Sequence, residues 1–305
     1  MIVQAIVDGF LSGAVVALGA IGVTFSLAIL RFANFSHGDL LSVGAYAALF
    51  VLLLGGSAPG AFSSPLGPFS FGWGLPLAIP FALGVTVAVA LLMDRLVYRR
   101  QRRSGAEPLT LVFASFGLAL VLRNVLLLLF GHDPHNYSTE IQMAVRLPGP
   151  VLVMPDQILV FVVTLVVLAL LWFFLQRTRY GLAMRSVAEN PVLSGIAGID
   201  ISSTVRLTWV VSAVLAALAG VFYGLTVQVR PEMGINLLLP LFTAAILGGV
   251  GSVSGAVIGA LLISLCENLF TLVIPNTYKP MIPFVLLLLV LFFRPEGLFP
   301  PKGRK

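Results

Sequence analysis

Residues 1–30, MIVQAIVDGFLSGAVVALGAIGVTFSLAIL, hold a single charge, Asp8, in thirty positions. A bilayer core is crossed by about 20 apolar residues in a helix, so this run exceeds what one crossing needs. It lacks the basic flank of a secretory leader and stays apolar too long for one; the expectation is a retained first span. Blocks of similar length recur along the 305 residues, which are 59% hydrophobic and only 10% charged. The mean hydropathy of +1.05 lies outside the range of soluble globular domains. Short alternating segments of the kind that build membrane barrels are missing. The reading is a polytopic α-helical membrane protein.

Nine spans are expected, at about 5–29, 37–54, 73–97, 108–130, 156–175, 205–228, 238–250, 256–274 and 280–294. The seventh is short and glycine-rich, and fits either a crossing or a re-entrant segment buried in protein, so eight to nine helices form one transmembrane domain over residues 1–305. Basic residues sort by connection. Arg31, the group Arg95 to Arg103, then Arg177, Arg179, Arg185 and Arg206 follow the odd-numbered spans, with Arg294, Lys302, Arg304 and Lys305 at the end. The alternate connections hold Arg146, Arg230 and Lys279. The positive-inside rule then places the N-terminus outside and the C-terminus in the cytoplasm. With no folded polar domain to cluster these cations, the net charge of +6 does not point to nucleic acid. Cys266 has no partner for an intrachain disulfide, and His132 and His135 lack a third ligand at workable spacing, so no metal site is read.

The stretch 35–48, FSHGDLLSVGAYAA, opens the second span. Ser36 reads as its N-cap and Asp39 as the third helical residue, a capping box, with Phe35 and Leu40 spaced as a hydrophobic staple. His37 has no capping role and is a candidate for the substrate route. Small residues recur every fourth position at Gly9 and Gly13, at Ala216, Gly220 and Gly224, and at Gly251, Gly255 and Gly259, where they allow close helix approach. Two charges sit at membrane depth: Arg123 about 22 Å and Glu267 about 17 Å along their spans, at 1.5 Å per residue. Each costs about 3 kcal/mol or more unpaired at the bilayer centre, so two readings stand for Arg123, facing the interior with Glu267 as a pair or along a polar route, or snorkelling to the outer interface, whereas Glu267 is too short to escape that way.

Residues 176–206, QRTRYGLAMRSVAENPVLSGIAGIDISSTVR, are too polar to cross. A helix from Tyr180 to Ala188 continues the fifth span inward. Asn190 and Pro191 then fit an N-cap and first helical residue, and VLSGIAGI makes a short apolar helix ending near Gly198. Such a helix wants a groove in a soluble partner. The chain has no G-x-x-x-x-G-K-[ST] loop to cradle nucleotide phosphates, and GSVSG at 251–255 lacks the order of a nucleophile elbow, so it reads as a non-enzyme that carries no ATP site or cofactor.

Taken together, NFSHGDLLSVGAYAA, TRYGLAMRSVAENPVLSGIAGID, AALAGVFYG, LGGVGSVSGAVIGALLISLCENL and LLLLVLFFRPEGLF resemble the permease subunits of branched-chain amino acid ABC importers, the H-type subunit of the leucine-isoleucine-valine system. The resemblance spans nearly the whole chain. It implies an ABC importer permease fold in a bacterial-type inner membrane. The implied partners are a second permease subunit, two cytoplasmic ATPases that use ATP and Mg, and an extracytoplasmic binding protein that delivers the amino acid. It implies an ATPase-coupling segment carrying Arg185, Glu189, Asn190, Gly195 and Gly198, and a substrate pathway near Asn34, His37, Arg123, Glu267, Gly249 and Gly251. Two alternatives stay open: urea or a short amide as cargo, and an ion-coupled secondary transporter working alone.

Overall fold

The computed structural model describes residues 1–55, 64, 66–138, 142–147, 151–294 and 296–299. Helix α1 (Ile2–Phe25) continues into a π turn, Ser26–Leu30, and Arg31 then takes a left-handed φ of 60° that ends it. Next come α2 (Ser36–Gly55) and α3 (Gly74–Met93), the latter prolonged by a π turn at Asp94–Tyr98 and by α4 (Arg99–Arg103). After α5 (Pro108–Phe130) an antiparallel hairpin, β1 (Val145–Leu147) and β2 (Val151–Val153), leads to α6 (Pro155–Arg177). The connection after α6 holds α7 (Arg179–Glu189) and α8 (Pro191–Ile196). The chain closes with α9 (Ile201–Thr226), α10 (Met233–Gly248), α11 (Val253–Phe270) and α12 (Met281–Phe293).

Among the described residues seven helices are long and apolar enough to cross a membrane, and each corresponds to an expected span. The expected seventh and ninth spans are α10 and α12, apolar but only 16 and 13 residues long. The hairpin was not legible as strands, because three-residue runs carry too little alternation to stand out.

Helices α1, α2 and α9 form the centre, and α5, α6 and α12 expose most of their apolar surface. Lipid is as apolar as leucine, so burial of leucine does not select this arrangement; close backbone packing at small residues does. Gly44 lies against Ala217, Gly38 against Gly234, and Gly220 against the Leu41 carbonyl, which pins α2 between α9 and α10. Gly9 and Gly13 admit Leu265 and Leu261 of α11 to the face of α1, and Gly255 and Gly259 admit Gly248 and Ala244 of α10 to α11. Gly251 departs from the expected helical stripe. With φ of 95° it lies in the α10–α11 turn, and α11 begins two residues later.

The helix after α6 does not continue it. Thr178 takes extended backbone (φ −104°, ψ 154°) and its side chain accepts from the Gly181 N–H, capping a new helix. Gly181 packs on the Phe174 and Leu175 carbonyls, a contact no side chain would permit, so α7 folds back across the end of α6.

A methyl group at Gly220 would run into the Leu41 backbone, whereas Gly117 faces open space. Gly220→Ala should therefore lower stability by about 1–3 kcal/mol through overpacking, read as reduced thermal unfolding temperature in detergent, while Gly117→Ala should show no loss.

Candidate functional site

Asp39 lies in the first turn of α2, where the helix dipole favours a carboxylate. Its partner is Arg123, sixteenth residue of α5: Nε meets Oδ1 and Nη2 meets Oδ2, both at 3.2 Å. This is the bidentate fork that matches guanidinium to carboxylate. The aspartate side chain is 2% exposed and the arginine 15%, so the pair is buried from the Asp39 side and opens slightly at the α5 face. Beside it the Phe35 ring packs on Phe242 of α10 (5.5 Å between centroids) and edge-on to Phe116 of α5 (6.3 Å).

Two expectations are corrected here. The capping box does not form: Ser36 is the first residue of α2, its hydroxyl donates to Asn34 Oδ1 (2.6 Å), and both Asp39 oxygens are taken by the guanidinium. The Arg123–Glu267 pair does not form either. Their heights along the spans were compatible, but α5 packs against α2 while α11 packs against α1 and α10. Glu267 instead feels the charge of Lys279, whose Nζ donates to Asn268 Oδ1 at 3.4 Å.

Asn34 and His37 serve the packing around the pair. Asn34 Oδ1 accepts from Ser36 and, at 3.2 Å, from the Tyr98 hydroxyl, which the π turn after α3 delivers. Its Nδ2 is buried with no partner. His37 is fully buried in the α1–α2 crossing, its Nε2 3.1 Å from the Gly19 carbonyl and its ring filling the space left by Gly22. Ser115 Oγ accepts from the Phe35 N–H, tying the start of α2 to α5. Tyr98 and Ser115 carried no sequence signal, one lying in a basic run and the other in an apolar one.

The glycine-rich turn with Gly249 and Gly251 has its helix ends already satisfied. The Leu298 and Phe299 N–H groups donate to the Leu247 and Gly248 carbonyls at 2.8 and 3.2 Å, and Ser252 Oγ accepts from the Gly255 N–H. These dipole ends are therefore occupied by the chain's own tail and cap.

In the connection between α6 and α9, Asn190 accepts from the Val192 and Leu193 N–H groups and Pro191 opens α8. Gly198, at φ of 85°, turns the chain toward Asp200, which caps α9. Hydrogen bonds from Ser203 and Ser202 hold the Asp200 carboxyl well below the usual carboxylate range. Its cap is thus present at all ordinary pH and is lost only as pH falls through that depressed value. Met184 and Val187 of α7 are buried, but Val192, Leu193 and Ile196 of α8 are 70%, 62% and 80% exposed. Arg185 and Glu189 are exposed beside them. The helix α8 is thus capped by Asn190, followed by the left-handed Gly198, and apolar on its exposed face.

Residues 5–291 match the family described as the permease component of branched-chain amino acid transport systems. The chain belongs to this family. It is 34% identical to the high-affinity branched-chain amino acid transport permease BraD of Pseudomonas aeruginosa and 30% identical to LivH of Escherichia coli K12; each match covers 97% of this chain and 94% of the relative. A probable branched-chain amino acid permease LivH of Methanocaldococcus jannaschii is 27% identical over 92% of this chain and 86% of its own. Among solved structures, PsaBC from Streptococcus pneumoniae in complex with Fab aligns with a TM-score of 0.50 at 15% identity, covering 96% of this chain and 91% of that one, a likeness of fold. The permease is a multi-pass membrane protein and a transport component.

Removing one member of a buried ion pair strands the other. In this permease Arg123→Gln should cost about 3 kcal/mol of stability, and Asp39→Asn combined with it should recover most of that loss. Glu267→Gln with Arg123→Gln should be additive within about 0.5 kcal/mol; chemical-denaturation cycles in detergent check both.

Proposed function

We propose that the permease is the membrane-spanning subunit of an ATP-driven ABC importer that passes branched-chain or other small amino acids, delivered by an extracytoplasmic binding protein, across a bacterial inner membrane. The observation that carries this reading is α8: a capped helix with an exposed apolar face, displayed where basic residues cluster, in a chain with no phosphate-binding loop of its own. The near full-length likeness to branched-chain amino acid permeases supports the cargo class.

In this mechanism two cytoplasmic ATPases grip α8. Movement of α8 reaches the bundle through α7, which is seated by Met184 and Val187, and through Asp200 at the head of α9. Alternating access requires that nucleotide prefer one of two states of that assembly. A second permease subunit covers the open faces of α5 and α12, and substrate passes between the two chains. There Arg123, the partly exposed member of the pair, offers a cationic contact to the carboxylate of the amino acid. The N-terminus lies outside and the basic C-terminus in the cytoplasm.

Leu193→Asp with Ile196→Asp should leave insertion and thermal stability of the permease intact, because both side chains are exposed. Loss of two interface anchors at about 2 kcal/mol or more each should weaken ATPase association by a hundredfold or more and abolish ATP-dependent leucine uptake in proteoliposomes. Normal co-purification of the ATPases with undiminished uptake would overturn the reading.

A further inference from the structure

A cavity of about 480 Å³ lies between the end of α1, the inward half of α6, α7 and the start of α11. Its composition changes along its length. Ile21 and Phe25 of α1, Leu168 and Leu171 of α6, and Val257 and Ile258 of α11 line the part deeper in the bundle. Gln176, Arg185 and Ser254 line the part at the basic end. Two separate segments, α6 and α11, therefore run from apolar lining to polar lining in the same direction, α7 adds Arg185 at the polar end, and the gradient is that of an amphiphile.

The polar end is also cationic. Arg185 Nη1 donates to Gln176 Oε1 at 3.1 Å, and among the described residues no carboxylate pairs with it. Arg177 follows Gln176 directly, Arg31 follows two residues after the lining Ile29, and both are exposed. Trp172, also on the wall, is 61% exposed about one turn before Arg177, the placement of an aromatic anchor at a membrane–water boundary. A partner helix is a poor occupant, since a helix is about 10 Å across and a single turn would use up the volume. A flexible chain with an anionic head fits shape and charge together.

We propose that this cavity binds one anionic phospholipid, its acyl chain in the trough between α1, α6 and α11 and its phosphate at Arg185. Basic pockets between transmembrane helices at the inner surface recognise such head groups. Because Met184, Arg185 and Ala188 of α7 form one wall, the lipid fastens α7 to α1 and α11 next to the docking helix.

The test uses the purified permease complex equilibrated with vesicles of equal phosphatidylglycerol and phosphatidylcholine, with retained lipid counted by native mass spectrometry. One phosphatidylglycerol should be held in preference to phosphatidylcholine. Arg185→Gln should cut that preference about fivefold, from about 1 kcal/mol per cation at a membrane surface. Val257→Trp, which fills the trough, should abolish retention of both lipids, with Ala28→Leu as a milder filling should that variant not fold. Arg206→Gln, at an exposed arginine outside the cavity, should change nothing. Equal retention of the two lipids by the unaltered complex, or retention indifferent to filling the trough, would overturn the proposal. So would a cross-link from a cysteine at Ile258 to the second permease subunit, which would make the cavity a subunit contact.

Discussion

In a bilayer, apolar side chains gain nothing by leaving lipid for one another, so what holds helices in a fixed arrangement is how closely their backbones can approach. The permease meets that constraint at α2. Gly38, Gly44 and the Gly220–Leu41 contact fix its distance from α9 and α10, and only then does Asp39 stand where Arg123 can reach it with both nitrogens. The ion pair follows from the packing and then reinforces it, since either charge alone would be stranded at depth. The same logic explains the buried His37, whose ring replaces the side chain Gly22 lacks.

This order of causes sets what was legible in the sequence. Helix positions were, because apolar length alone decides them, and the boundaries of α2, α5 and α6 fell within a residue or two of expectation. The short helix α8 was legible from Asn190, Pro191 and Gly198, whose chemistry acts within a few residues. Tertiary partners were not. Spacing gave the heights of Arg123 and Glu267 but not the faces they turn, and the Ser-x-x-Asp pattern at Ser36 was a valid local signal overridden by a guanidinium from α5. The break at Thr178 depends on Gly181 meeting the α6 carbonyls, and the cover over the α10 end comes from Leu298 and Phe299, fifty residues on. Both are long-range facts with no periodicity to announce them.

Functionally the molecule divides into a stiff part and a responsive one. Helices α1, α2 and α9 are locked by small-residue contacts, whereas α7 and α8 are short, separately capped, and joined to the core by a few buried side chains and the Asp200 cap. The amphiphilic cavity beside α7 lies at that junction.

The central claim is that this bundle has no energy source of its own. Reconstitution of the permease with its partner permease in vesicles, with and without cytoplasmic ATPases, ATP and the binding protein, tests it most directly. The account predicts accumulation of a labelled branched-chain amino acid against its gradient only when all components are present. Concentrative uptake by the permease alone, driven by a proton or sodium gradient, would contradict it.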